Sequence, residues 1–293
     1  MKHVFIVSFP RTATSGVYVE VCRLMKNIFN DCLCIYEPFN HNVLSDIFTK
    51  GYHVHDRVGE IIHDYGKLPN FLKELIYENS KWAKKWKFKR ESFLGNYMEV
   101  LKELLELGKP LVLKDVYLWP KLPELVNAFK NVLFIVTVRN REYVLNSYLR
   151  WFRDRTLKRQ AKNKIALARR KPYNLFNPIK VWRHIKTMFK LRKTITEKHM
   201  LGLGEFYIYF YGCSKPRLKG EELLKYYLDK DYEAFLNVVS KVENNENVYV
   251  SRFDNRLNIK PILDHIRQSI QNKPIEVEGT LEFWFFSLGN QTF

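Results

Sequence analysis

Acidic residues are in short supply: 31 Asp and Glu stand against 49 Lys and Arg, a formal net charge of +18. A balance so far to one side points to anionic partners, whether nucleotide, nucleic acid, acidic glycan or membrane headgroup, without choosing among them. Cysteine is equally scarce, with only Cys22, Cys32, Cys34 and Cys213 in 293 residues. That excludes a disulfide framework, and the spacings match no usual zinc pattern. His53 and His55 form a lone His-x-His pair, which reads as a polar loop or strand face and not as a metal site. No apolar run approaches the roughly 20 residues that cross a bilayer; Phe206–Tyr211 and Leu281–Phe286 read as strands or a docked tail. With no secretory signal ahead of a first strand that opens close to Met1, a reduced, cytoplasmic setting is expected. Two nucleotide fingerprints are also missing. There is no Gly-x-x-x-x-Gly-Lys-[Ser/Thr], and Gly202-x-Gly204 lacks the third glycine and the strand-turn-helix context.

What is present suffices for one large core, since 46% of the residues are hydrophobic and 15% aromatic. The opening stretch, Val4-Phe5-Ile6-Val7-Ser8-Phe9-Pro10-Arg11-Thr12-Ala13-Thr14-Ser15-Gly16, reads as buried strand, hydroxyl-rich turn and helix start, the helix continuing through Val17, Val21, Leu24 and Met25. Cys32–Tyr36 reads as a second strand, stopped by Pro38. Helical spacing is expected from Asn42 to about Tyr65. Lys67–Arg90 reads as an aromatic, basic excursion from the core. Helical spacing resumes from Tyr97 to Leu105, and Pro110–Val116 forms a third strand. A short helix follows from about Pro120 to Phe129, and the most apolar strand, Asn131–Val138, delivers Arg139. A helix then runs from about Arg141 past Arg153. After it, 153–193 is heavily basic. Two helical patterns, Glu221–Leu228 and Tyr232–Val242, precede a last strand at Asn247–Phe253 and a helix from Pro261 to Gln271. The alternation predicts one α/β domain over 1–293: a P-loop-like three-layer α/β/α fold with a mostly parallel sheet of about five strands and a mainly helical insertion or lid, 153–200. In such sheets ligands sit at the carboxyl ends of the strands. Arg11, Glu37, Lys114 and Arg139 are each expected there.

The turn after the first strand has the makings of an anion cradle. The first N–H groups of a helix lack intrahelical partners and the helix dipole favours negative charge there. The hydroxyls of Thr12, Thr14 and Ser15 and the Arg11 guanidinium complete the set. A plain N-cap reading of the same hydroxyls stands beside this one.

Three stretches between the N-terminus and about residue 150 resemble the sulfotransferases that use 3′-phosphoadenosine 5′-phosphosulfate (PAPS). Phe9-Pro10-Arg11-Thr12-Ala13-Thr14-Ser15 resembles the family's 5′-phosphosulfate loop. Val138–Tyr148, an Arg at a strand end with Ser147 eight positions after Arg139, resembles its 3′-phosphate motif. Tyr36-Glu37-Pro38 and Leu113-Lys114-Asp115 are similar to the carbohydrate and tyrosylprotein branches; the small-molecule branch has a His base where Val116 stands here. The resemblance implies PAPS as donor, adenosine 3′,5′-bisphosphate as product and no metal. It assigns Arg11, Thr12, Ala13, Thr14 and Ser15 to the 5′ end of the donor, Arg139 and Ser147 to its 3′-phosphate, and Glu37 to the general base. Asp115 is the runner-up base, though strand alternation turns it away from the face of Lys114. Ala13 departs from the family, which usually has Gly there; if that residue takes positive φ, Ala costs about 1 kcal/mol or more.

The chemistry suits these residues. Sulfuryl transfer to a hydroxyl needs the leaving phosphate neutralised, by Arg11 and the loop amides, charge on the bridging oxygen stabilised, by Lys114, and the acceptor proton removed. The acceptor is expected to be a carbohydrate or glycolipid hydroxyl, and the basic segment reads either as a guide for an anionic glycan or, more commonly for such runs, as a solvated helical face. Tyr36, Phe39, Trp82, Trp86 and Trp119 are candidate sugar-stacking aromatics that double as core candidates. The alternative is a nucleic-acid- or nucleotide-binding protein on a degenerate P-loop-like scaffold without catalysis. Its support is the charge and the interleaving of Trp151, Phe152, Tyr173, Phe176 and Trp182 with basic residues. Oligomeric state and adenine contacts are left open.

Overall fold

A computed structural model of the chain describes residues 2–55, 59–85, 90–150 and 220–271. Five strands, β1 (His3–Val7), β2 (Leu33–Tyr36), β5 (Leu111–Asp115), β6 (Val132–Arg139) and β7 (Val248–Phe253), form one sheet in the order β2-β5-β1-β6-β7. Every pairing is parallel. All residues of β1, β2 and β5 are buried, as expected for short apolar strands covered on both faces. The helices are α1 (Thr14–Ile28), α2 (His41–Lys50), α3 (Asn70–Lys85), α4 (Arg90–Glu106), α5 (Leu122–Ala128), α6 (from 141 to the last described residue before the gap, 150), α7 (Gly220–Ser240) and α8 (Lys260–Gln271). The architecture is therefore the three-layer α/β/α fold with a five-stranded parallel sheet. A two-stranded antiparallel ribbon, β3 (Val54–His55) with β4 (Gly59–Glu60), lies apart from it.

Three expected elements come out differently. Helix α2 stops at Lys50 instead of continuing to Tyr65, because Gly51 takes φ +80° and accepts the left-handed turn that ends a helix. Residues 70–85 form a regular helix of the main body, not an excursion. Leu68, Leu72 and Ile76, four apart and fully buried, carry a stripe that the surrounding aromatic and basic residues obscure. The two patterns after residue 220 are one helix, α7, whose polar middle at Asp229, Lys230 and Asp231 contains no breaker. The basic segment 153–200, Cys213, Trp86 and the aromatics from Trp151 to Trp182 lie outside the described residues, as do Phe206–Tyr211 and Leu281–Phe286.

With all strands parallel, their carboxyl ends share one edge. In register, Lys114 stands beside Tyr36 on one side and Ile6 on the other, and Phe253 stands beside Arg139. That edge gathers the loop 8–13, Glu37, Asp115, Arg139 and Asp254.

Candidate functional site

The loop after β1 is pinned from beneath. The Thr137 hydroxyl donates to the Thr12 carbonyl at 2.8 Å, and the Thr137 N–H donates to Ser8 Oγ at 2.7 Å. The Thr12 hydroxyl donates to the Phe9 carbonyl at 2.6 Å and is wholly buried. The Thr12 hydroxyl, expected to line the cradle, is thus turned inward and engaged. Phe9 anchors the loop in an aromatic cluster with Trp119, Tyr148, Tyr232 and Phe235, at centroid separations of 5.3 to 6.0 Å. Arg11 and Ala13 both adopt left-handed backbone, φ 71° and 62°. The alanine therefore occupies the conformation that glycine would take without penalty, at a cost of about 1–2 kcal/mol for an L-residue. Ala13 also caps α1, its carbonyl accepting from the N–H groups of Gly16 and Val17. The amides of Thr14 and Ser15 thereby stand at the open first turn. The Arg11 guanidinium lies 5.9 Å from the centre of the Tyr148 ring.

At the end of β2 the chain turns sharply, Glu37 itself having φ 48°. Its N–H extends the ladder to the Lys114 carbonyl. Its side chain is buried and ion-paired with the buried Lys114 through Oε1, while Oε2 accepts from Asn40 Nδ2 at 2.5 Å. Lys114 Nζ also lies 3.4 Å from the Tyr36 hydroxyl and 4.4 Å from the centre of its ring. The Tyr36 hydroxyl in turn shares a 2.8 Å hydrogen bond with Ser15 Oγ. A continuous polar chain thus runs from the loop after β1, through Ser15, Tyr36 and Lys114, to Glu37. Burial works to raise the Glu37 carboxyl, but the Lys114 ammonium and the Asn40 amide outweigh it and hold Glu37 below the usual glutamate range. Burial likewise opposes the charge on Lys114, and Glu37 more than restores it. Lys114 is the penultimate residue of its strand, not one that follows it.

Asp115 takes a different direction. Its carboxylate accepts from the N–H groups of Tyr117 at 2.6 Å and Phe39 at 3.2 Å, both main-chain. Burial, then the neighbouring Glu37 charge, push it up to about 7. It fixes the turn that carries Glu37, a positioning task that leaves its oxygens engaged. Two further contacts escaped sequence reasoning. His53 stacks on Tyr36 at 6.1 Å and hydrogen-bonds Asp46 through Nδ1 at 3.3 Å. Asp64, buried, accepts from the Cys34 N–H and pairs with Lys26 and Lys67, holding β2 from its other side. The stacking on Tyr36 and the bonds of Asp64 to Cys34 and Lys26 join residues brought together only by the fold, while the short-range ties, His53 to Asp46 and Lys67 to Asp64, carry no pattern that sets them apart from solvated pairs. Tyr36, Phe39 and Trp119 are buried and serve the core, not an open sugar platform.

Across the sheet, Arg139 ends β6 and is half-exposed. Its Nε donates to the Asp254 carbonyl and Nη2 to the Asn255 carbonyl, both at 3.2 Å, and the guanidinium lies between the rings of Tyr143 and Phe253, 5.2 and 5.9 Å from their centres. The Tyr232 hydroxyl donates to the Arg139 carbonyl and fixes this corner from α7. Ser147 lies two turns into α6, and its hydroxyl is buried without a hydrogen-bond partner among the described residues. Among the described residues no cluster of three or more His, Cys, Asp or Glu is placed to hold a metal ion, and no helix is long and apolar enough to cross a membrane.

No protein-family model matches this chain, and no curated protein matches it.

Proposed function

We propose that this protein is a PAPS-dependent sulfotransferase acting on a hydroxyl of a carbohydrate, glycolipid or similar acceptor. The observation that carries the reading is the polar chain from Ser15 through Tyr36 and Lys114 to Glu37, which links an anion-binding helix start to a buried carboxylate across two strands. Arg11 and the first amides of α1 suit the 5′-phosphosulfate, and Arg139 with the unsatisfied Ser147 hydroxyl suits the 3′-phosphate.

In this reading the acceptor oxygen bonds to sulfur as the bond from sulfur to the bridging phosphate oxygen breaks. The acceptor proton passes to Glu37, and the electron pair left on the bridging oxygen meets Lys114. The two transfers balance. The carboxylate takes up the proton that the acceptor loses while the ammonium meets the charge that appears on the leaving oxygen. The sulfuryl group carries less charge than a phosphoryl group, so Lys and Arg suffice for what Mg²⁺ supplies in phosphoryl transfer. Asp115 holds the Phe39 and Tyr117 amides and so the approach angle of Glu37.

Calorimetry tests the donor. Adenosine 3′,5′-bisphosphate is expected to bind more tightly than 5′-AMP or Mg·ATP, and Arg139→Ala to erase that preference. Equal affinity for the bisphosphate and 5′-AMP on the wild type would sink the reading. Steep salt dependence with no nucleotide preference would favour the nucleic-acid alternative.

A further inference from the structure

The Lys114–Glu37 pair poses a difficulty for catalysis that also suggests its use. As it stands, Glu37 is a weak base: both oxygens are engaged, and its counterion is buried against it. Yet Lys114 also faces the hydroxyl and ring of Tyr36, whose hydroxyl is bonded to Ser15 at the start of α1. Lys114 thus sits between Glu37 and a hydrogen-bonded route, through Tyr36 to Ser15, that ends at the first turn of α1.

We propose that Lys114 is a latch which a phosphate at the Arg11–Ser15 loop draws off Glu37, so that the carboxylate becomes an effective base only after the donor has bound. The inference rests on the donor reading above. A buried carboxylate stripped of its counterion moves upward toward the range where glutamates serve as general bases near neutral pH. Asn40 remains to orient it. Without donor the ion pair re-forms, and an acceptor or water near Glu37 meets no competent base. The structure thus implies an order, donor before chemistry.

The other groups facing Glu37 do not replace Lys114. Asp115 on β5 and the Tyr65 hydroxyl from the turn before α3 both lie within its field. Asp115, at pH values where it is ionised, raises the cost of a bare Glu37 carboxylate; Tyr65 spends its proton on the Tyr36 carbonyl at 3.0 Å. Tyr36 from β2 is itself shifted up by burial. Tyr148 from α6 is pushed up by burial, and Glu37 adds a little. His53 is the one further group that favours the charged carboxylate, and it is committed to Asp46, which also pairs with Lys50.

The test uses the full chain and adenosine 3′,5′-bisphosphate as probe. Carboxyl-carbon NMR of glutamate-labelled protein, with the Glu37 signal identified by its loss in Glu37→Gln, follows its titration with and without saturating bisphosphate. The midpoint is expected to move up by at least about one pH unit on binding, equivalent to a tenfold change in proton affinity. Glu37→Gln is expected to bind the bisphosphate about tenfold more tightly at neutral pH, since Lys114 no longer leaves a partner. Should that variant fold poorly, wild-type calorimetry in two buffers of different ionisation enthalpy at pH 4.5 and pH 8 reads the linked proton directly. A Glu37 midpoint unmoved by bound bisphosphate, or binding with no buffer-dependent heat at pH 4.5 beyond that of the ligand itself, overturns the latch and leaves the donor reading standing. Absence of bisphosphate binding overturns the donor reading and the latch with it.

Discussion

The two sides of the strand-end edge are built in opposite ways. Toward β2 and β5 the polar groups are satisfied by each other: Glu37 on Lys114 and Asn40, Ser15 on Tyr36, Asp115 on two main-chain amides. Toward β6 the Ser147 hydroxyl is buried without a partner among the described residues, and Arg139 donates to the main-chain carbonyls of Asp254 and Asn255. The difference separates two kinds of binding. On the donor reading, a ligand on the β6 side meets a hydroxyl that lacks a partner among the described residues. A ligand on the β2 side has to displace existing partners, so its arrival changes the state of the groups it displaces. Anchoring suits the first arrangement and triggering the second.

Removing one partner on the satisfied side is the harshest way to break this contrast. Lys114→Ala leaves Glu37 buried without its counterion and is expected to cost about 3–5 kcal/mol of stability, read by chemical denaturation. The double variant Lys114→Met/Glu37→Gln, neutral and of similar volume, is expected to recover most of that loss. A double variant no more stable than Lys114→Ala would mean that the pair is not what holds this corner.

Asp115 gives the same side a pH signature. Its carboxyl, pushed up to about 7 by burial, binds a proton in the folded chain that the unfolded chain has released above about pH 4. Stability from this group is therefore full below the unfolded value and falls as pH rises toward 7, by on the order of 2–4 kcal/mol. Glu37 has the opposite sign: held below its ordinary value of 4.5, it supports the fold above that pH and loses its contribution as pH falls through the lower folded value. Asp115→Asn is expected to flatten the loss between pH 4 and 7, at the cost of one of the two main-chain hydrogen bonds, since its single amide oxygen replaces two carboxylate oxygens that accept from Tyr117 and Phe39 separately. An unchanged slope in thermal melts across that range would remove Asp115 from the account.

On the open side the expected pattern inverts. Ser147→Ala deletes an unsatisfied buried hydroxyl, so the free protein is expected to be as stable as the wild type or slightly more so. Bisphosphate affinity is nevertheless expected to fall about tenfold, the worth of one hydrogen bond to a charged group. A variant that loses stability and keeps its affinity would show that the hydroxyl serves the fold.

Much of this arrangement was legible in the sequence, and what escaped has definite physical causes. The β-branched runs at Val4–Val7 and Val132–Val138 mark buried strands whatever their neighbours, and Pro38 and Gly108 punctuate the chain locally. Placing Glu37 at a strand end needed no more than that. Its pairing with Lys114 needed the register of β2 against β5, set between residues 77 positions apart. The Thr12 hydroxyl looked like part of a cradle because sequence does not reveal Thr137, which meets it from the next strand. Helix α3 was hidden by composition: Lys, Trp and Tyr around Leu72 and Ile76 diluted a stripe that is clean once burial is known. The tie of His53 to Asp46 is local enough, seven residues, to have been considered, but nothing in the pattern separates it from a solvated pair.

The smallest expected effect tests where the loop stores its strain. Ala13 sits at φ 62° and ψ 13°, and its carbonyl takes the first two amide bonds of α1, so the conformation is imposed by the helix start and not by its own preference. Ala13→Gly removes a left-handed penalty of about 1–2 kcal/mol but gives back about 0.4–1 kcal/mol through the freer unfolded chain. The net is a gain of between about 0 and 1.6 kcal/mol, each kcal/mol raising the melting temperature by roughly 2–4 °C. Ala13→Val, β-branched at the same φ, is expected to lose stability instead. Because the Ala13 side chain is a single methyl, the glycine variant changes no hydrogen bond of the loop, and bisphosphate affinity is expected to stay within about twofold of wild type. A glycine variant that is less stable than the wild type would locate the strain at Arg11, whose φ of 71° is the other left-handed step in this turn.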